Sequence, residues 1–278
     1  MKKIIAAFDG LRFSESTLNY AIDFGKHYNA HIVGVFLTET TKMSYAVYEA
    51  FVEQSLPGKE LVNEIGRNDS AEINESVSKF EAICRDSKIS YSIHYDKFNP
   101  LEELLHESLF ADLLIMDPHE SFSYFESRMP GGFVKHILQH SKCPIIVVPS
   151  VFRQTHELVM LYDGSASSVF AIKMFNYVLP EMNNLDITIL NAGDSAVSKH
   201  IPDELLMEEW MKNHFPNATF RIVEGGKKAL VNELTNESTN KMVIVGAYNR
   251  SSLSMRIHKS IADLLLKDIK YPVFIAHA

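Results

Sequence analysis

The chain has 278 residues, 46% of them hydrophobic and 22% charged. That length suits two cores of roughly 100–150 residues each and excludes disordered, collagen-like and disulfide-framework classes. Its 27 Lys and Arg against 35 Asp and Glu give a net charge of −8, and no basic stripe stands in the sequence, which argues against nucleic acid as the main partner.

The first apolar run, residues 4–8, stops at Asp9-Gly10. It is too short for the hydrophobic region of a signal peptide, and no segment approaches the ~20 apolar residues of a membrane span. Cys84 and Cys143 lie far apart with no CxxC pattern, so two unpaired thiols in a reducing compartment are expected. Together these features predict a cytoplasmic protein without membrane partners.

Leu18, Ala21, Ile22, Gly25 and Tyr28 share one face of a helix, and 31–37 reads as a second strand. Residues 38–69 look like an insertion, with a helix over 45–52 that is placed to cover or fill a neighbouring groove. Ile73, Val77, Phe80 and Cys84 then line a helix face, 91–95 alternates as a third strand, and a short helix starts after Pro100. A fourth apolar run, 113–116, ends at Asp117, and Cys143-Pro144 opens the strand 145–149.

The second half repeats the plan. Residues 158–162 run into Asp163-Gly164-Ser165, and Val169, Ile172, Phe175, Asn176 and Leu179 roughly share the next helix face. Strand 185–191, a helix around Leu206 and Trp210, strand 219–223 and a helix over 229–238 follow. Residues 242–245 then lead into Gly246, matching 113–116 before Asp117, and Tyr271-Pro272 opens the last strand as Cys143-Pro144 does. Runs that are apolar throughout and rich in β-branched residues mark strands buried on both faces of a parallel sheet. Proline is tolerated at the first position of a strand. Regular strand–helix alternation predicts α/β architecture, here in two five-stranded units.

These landmarks resemble the universal stress proteins in their tandem two-domain form. The residues that carry the likeness are Asp163-Gly164-Ser165 and Asp9-Gly10 after the first strands, the apolar strands before Gly246 and Asp117, and the Cys-Pro and Tyr-Pro closing strands. The likeness spans nearly the whole chain, as one domain over 1–150 and a second over 154–278. It implies two Rossmann-like domains, each a five-stranded parallel sheet of order 3-2-1-4-5 flanked by helices. It further implies intrachain pairing of the domains through their last strands, 145–149 against 273–277, and leaves room for a homodimer. The function implied is that of a stress-response regulator or sensor rather than an enzyme, with protein partners unspecified.

Members of one class of the family bind ATP through the Asp of the first strand and a loop of pattern G-x2-G-x9-G-[S/T]. Glycines in such a loop let backbone N–H groups approach a phosphate. The second half offers Gly246, Asn249, Lys259 and Ser260 at those positions; the first offers Asp117, Glu120, Pro130 and Gly131. Carboxylates at the phosphate position repel the ligand, so the resemblance points to ATP or AMP, with Mg²⁺, in the second half alone. The candidate contacts are Asp163, Gly164, Ser165, Gly246, Asn249 and Ser260.

Structural readings compete with these. Asp at a strand end also caps the next helix or fixes a turn, and Ser260 before Asp263 makes a capping box. A module acting through protein partners, without nucleotide, is the competing function. His136 and His140, with Cys143 three residues on, have spacing suited to Zn²⁺ but lack a fourth ligand; a helix with two exposed histidines is the plainer expectation. No G-x-S-x-G, GxxxxGK[ST] or GxGxxG motif is present, so no catalytic residue is assigned.

Overall fold

The computed structural model describes residues 1–9, 13–37, 59–96, 100–119, 131–193, 200–236, 240–246 and 261–277. The chain forms two compact units, Met1–Lys142 and Cys143–Ala278. Both are α/β, with parallel strands flanked by helices, as expected of tandem Rossmann-like domains.

In the first unit, β1 (Lys3–Asp9) pairs in parallel with β2 (His31–Leu37) on one side and β4 (Leu113–Met116) on the other; β3 (Tyr91–Asp96) pairs with β2. The order is β3-β2-β1-β4. β4 is buried throughout, and only the first residues of β1 and β2 reach the surface, which explains why these runs are apolar without alternation.

Helix α1 (Glu15–Tyr28) starts at the N-cap Ser14, whose hydroxyl accepts from Thr17 N, and ends at Asn29 in the left-handed conformation. Glu15 in the first turn and Lys26 and His27 in the last suit the helix dipole. All five residues expected on its inner face are buried.

Helix α2 (Lys59–Asp86) begins well before Ile73, so the end of the expected insertion is helical; the helix expected over 45–52 lies outside the described residues. The Phe80 ring of α2 lies over Gly34 and packs 5.8 Å from both Phe8 and Phe36. Helix α3 (Pro100–Ser108) has proline at its first position, where no N–H is needed. Helix α4 (Gly132–His140) closes the unit.

The second unit opens with β5 (Ile145–Val147), directly after Pro144. Next come β6 (Glu157–Leu161), α5 (Ala166–Val178), β7 (Asp186–Gly193), α6 (Glu204–His214), β8 (Thr219–Glu224), α7 (Gly226–Asn236), β9 (Lys241–Gly246), the short α8 (Ile261–Leu265) and β10 (Val273–Ala276). Parallel pairing gives the order β8-β7-β6-β9-β10, which is 3-2-1-4-5 within this half. On the far side of β10, β5 runs antiparallel, with Val147 opposite Val273 and Ile145 opposite Ile275. The closing strands therefore pair, as the resemblance implies, over 145–147 and 273–275 of the longer runs 145–149 and 273–277.

Register tests the internal repeat residue by residue. Ala6 stands opposite Ile115 and Met160 opposite Ile244. Carried two residues further, Phe8 faces Asp117 and Tyr162 faces Gly246. Asp9 and Asp163 are therefore equivalent positions, as are Asp117 and Gly246.

Candidate functional site

In each unit the strand order reverses at the first strand, and in open parallel sheets ligands bind outside the carboxyl ends of strands at such a switch point. In the second unit that place is the end of β6 and β9. Tyr162 prolongs β6: its N–H donates to Leu190 O at 2.9 Å, and its own carbonyl accepts from the buried Asn191 Nδ2 at 2.8 Å. The Tyr162 hydroxyl donates to Pro202 O at 2.9 Å. Burial, with the nearby Asp203 and Asp163 carboxylates, pushes this phenol above its ordinary pKa.

Asp163 follows. Its Oδ1 accepts from Ser165 N at 3.0 Å, the turn that Asp forms with its own chain two residues on. Between them Gly164 has φ +78°, and a Cβ there would meet Pro202 Cβ at 2.5 Å; both the dihedral and the contact require glycine. Partial burial raises the Asp163 pKa, but donation from the Ser165 hydroxyl and amide and the Ser168 hydroxyl, with the charge of Lys227, outweighs it. The carboxylate is held below its ordinary value.

Ser165 is the N-cap of α5, and its Oγ accepts from Ser168 N at 3.2 Å. The Ser168 hydroxyl donates to Ser165 O at 2.9 Å. Gly246 ends β9 against this first turn. A Cβ on it would collide with Ser167 O and lie 2.6 Å from Ser168 N. Asp163, Gly164, Ser165 and Gly246 thus belong to one small region, where strand ends meet the N-terminus of a helix. Asn249 and Ser260 lie outside the described residues; α8 starts at Ile261, directly after Ser260.

Two groups here escape sequence reasoning. Ser167 is buried, and its Oγ has no hydrogen-bond partner among the described residues. Pro202 sits over Gly164 although nearly forty residues separate them, a contact that leaves no local signal.

The equivalent place in the first unit is built differently. Asp9 and Asp117 are both buried, at 5% and 8% exposure. Asp117 Oδ1 accepts from His119 N at 2.8 Å and lies 2.8 Å from His119 Nδ1. Its Oδ2 accepts from the Ser14 hydroxyl at 3.3 Å. The first half therefore does have a serine cap, supplied by Ser14 rather than by the Leu11 position that follows Asp9-Gly10. The signal for it is Ser14-x-x-Thr17 directly before the buried Leu18.

His136 and His140 stack at 4.1 Å, and His140 Nδ1 turns to its own helix at His136 O, 2.9 Å away. Burial, then the neighbouring His140, lowers the His136 pKa. Cys84 and Cys143 are both buried, and burial with the nearby Glu81 pushes the Cys84 thiol up to about 12. Such a thiol is inert at neutral pH. Among the described residues no group of three or more His, Cys, Asp or Glu is placed to hold a metal, and no helix is long and apolar enough to cross a membrane.

A doubly wound sheet with an Asp at the first strand end and a glycine or its substitute at the fourth defines the class: an α/β protein with one potential ligand crevice in each repeat. The family model described as "Universal stress protein family" matches residues 1–149, and the chain belongs to that family. The fold is similar over its whole length to a universal stress protein from Archaeoglobus fulgidus DSM 4304, with a TM-score of 0.66 at 17% identity, covering 99% of this chain and 96% of that one. It is also similar to a functionally unknown protein from Pseudomonas aeruginosa PAO1, with a TM-score of 0.60 at 10% identity, covering 100% and 92%. No curated protein matches the sequence.

Proposed function

We propose that the chain is a cytoplasmic stress-response regulator or sensor whose second repeat, 154–278, binds an adenine nucleotide at the carboxyl ends of β6 and β9 without fast turnover. ATP or AMP, with Mg²⁺, is the ligand. What carries the reading is the contact of Gly246 with the first turn of α5 beside Asp163. A strand end without a side chain leaves backbone next to a helix N-terminus, where amide donors and the dipole favour a phosphate. Asp163, ionised and accepting from its own serine turn, keeps lone pairs for nucleoside hydroxyl or amino groups. Gly164 and Ser165 hold that turn, and in this reading Asn249 and Ser260 complete the phosphate loop.

The test is the nucleotide content of freshly purified protein, released by denaturation and separated by chromatography. Close to one equivalent of adenine nucleotide per chain is the expected result. None recovered, together with no thermal shift in millimolar ATP and Mg²⁺, overturns the reading. Slow release of ADP in the same buffer separates a sensor from a hydrolase.

A second reading, an interaction module working through protein partners, draws on Leu205 and Leu206. These open α6 at 83% and 70% exposure, and adjacent exposed leucines are a feature of contact surfaces. Loss of a co-purifying protein on Leu205→Ser/Leu206→Ser substitution, with nucleotide absent, would favour it.

A further inference from the structure

The amino ends of the first-unit strands carry a side-chain cluster that the nucleotide reading does not use. His31 opens β2, and Ser90 and Ser92 flank Tyr91, the first residue of β3. The imidazole lies between the two hydroxyls: His31 Nδ1 is 2.8 Å from Ser90 Oγ, and Nε2 is 3.1 Å from Ser92 Oγ. Backbone bonds fix both partners. His31 N donates to Lys2 O at 2.8 Å, and Ser90 O accepts from Ile32 N at 2.9 Å. Ser90 is exposed, whereas His31 is half-buried.

A neutral imidazole bonded through both nitrogens donates from one and accepts at the other. Burial, then the charges of Lys3 and His94, lowers the His31 pKa below its ordinary value, so the ring is neutral at neutral pH. With the proton on Nε2 and directed at Ser92, Nδ1 is left to accept from the Ser90 hydroxyl. A serine in reach of a base, with that base oriented by a third group, is the arrangement that activates a nucleophile. Lys3 stands next to His31 in register, and its charge favours an oxyanion developing beside Ser90. Glu107 is engaged with other partners, its Oε1 2.5 Å from His94 Nδ1 and its Oε2 3.6 Å from Lys3 Nζ. The second repeat lacks the set. By register Asp186 stands at the place of His31 and Thr219 at that of Ser92, which puts Asn217 at the place of Ser90.

We propose that Ser90 is a histidine-activated nucleophile that takes an acyl group from small esters or thioesters, with His31 as its base. In this step Ser90 Oγ bonds to the acyl carbon, and the bond from that carbon to the leaving oxygen or sulfur breaks. The Ser90 proton passes to His31 Nδ1 and from there to the leaving group. The product is an acyl-serine, and its formation does not depend on the proposed nucleotide site.

The experiment treats the full chain with p-nitrophenyl acetate, follows release of p-nitrophenolate, and locates the acetyl group by tandem mass spectrometry. The expected product carries acetyl on Ser90. Its rate of formation levels off with rising pH once His31 is deprotonated, at a midpoint below the ordinary histidine pKa. Lysines that are acetylated in parallel keep accelerating toward their own pKa, which tells them apart. Ser90→Ala should remove the phase that levels off. His31→Gln should slow acetylation of Ser90 by about a hundredfold, the lower end for general-base catalysis. Circular dichroism establishes whether His31→Gln folds; where it does not, the wild-type pH profile decides. Acetyl on Ser92 instead, on no serine, or on Ser90 at a rate that climbs without a plateau overturns the proposal. So does a folded His31→Gln chain that reacts as fast as the wild type.

Discussion

Gly246 has a neighbour that admits no side chain. The backbone of Ser167 and Ser168 occupies the space a Cβ would need, and backbone, unlike the end of a flexible side chain, gives way only if the whole helix turn moves. Gly246→Ala is therefore expected to cost about 1–3 kcal/mol, the range for overpacking a tight contact. Urea denaturation checks it, and an unchanged midpoint would show that the turn moves freely. Asp163 supports a prediction about pH. Its folded pKa lies below the ordinary carboxylate value because Ser165, Ser168 and Lys227 together outweigh burial. A depressed folded pKa contributes stability that is present above the unfolded pKa and lost as pH falls through the folded one. Asp163→Asn removes that contribution, so its stability should fall less steeply than the wild type's on acidification below the ordinary carboxylate value. Parallel slopes in denaturant melts across that window would count against the assignment. Asp163, Gly164 and Gly246 are legible in the sequence because each punctuates an apolar run. The bonds that hold Asp163 ionised are less so, since Lys227 reaches it only through the fold.

At the scale of elements, the strands are legible because burial on both faces demands continuous apolar residues, and residues 3–9, 31–37 and 113–116 meet that demand without competing signals. The start of α1 is harder to see. Asp9-Gly10 looks like the cap because it closes the strand, yet the hydroxyl that accepts from the helix belongs to Ser14. A cap five positions past the strand end cannot be assigned without knowing how far the chain travels between strand and helix. The inward face of α2 shows the opposite case. Phe80 is selected from the sequence by helical spacing, and the structure gives it a specific task. Its ring lies over Gly34, edge-on to Phe8 and Phe36, and it is fully buried. Glycine in the middle of β2 makes room for the ring, so helix and strand fit as a pair. Phe80→Ala should cost about 3–5 kcal/mol, as large buried aromatics do when a cavity replaces them. Phe80→Leu should cost less, because it refills part of that volume. Equal melting temperatures for the two variants would show that the site collapses around the loss.

For the whole molecule the instructive strand is β5. Repeat arithmetic assigns it to the first half, since Cys143-Pro144 and Tyr271-Pro272 occupy matching places. Packing counts it with the second unit, which begins at Cys143, because β5 covers the outer edge of β10 with antiparallel bonds from Ile145 to Val147. Every residue of β10 is buried. An apolar strand left with an open row of N–H and C=O groups is a template for pairing with another chain. Two fragments separate repeat from folding unit. Residues 143–278 keep β5, whereas 154–278 leave the edge of β10 bare. The longer fragment is expected to associate less than the shorter one by light scattering on a sizing column. The shorter one should associate or precipitate at the same concentration, with β10 of a second copy taking the place of β5. A single Lys at Phe274 in the shorter fragment would not serve as a control, since that side chain packs against Phe175 at 5.4 Å inside the core. Salt dependence serves better: association through strand edges persists in high salt, whereas association through exposed charges is screened. If 154–278 is monomeric and as stable as 143–278, the closing strand of the first repeat is dispensable to the second, and the repeat is also the folding unit.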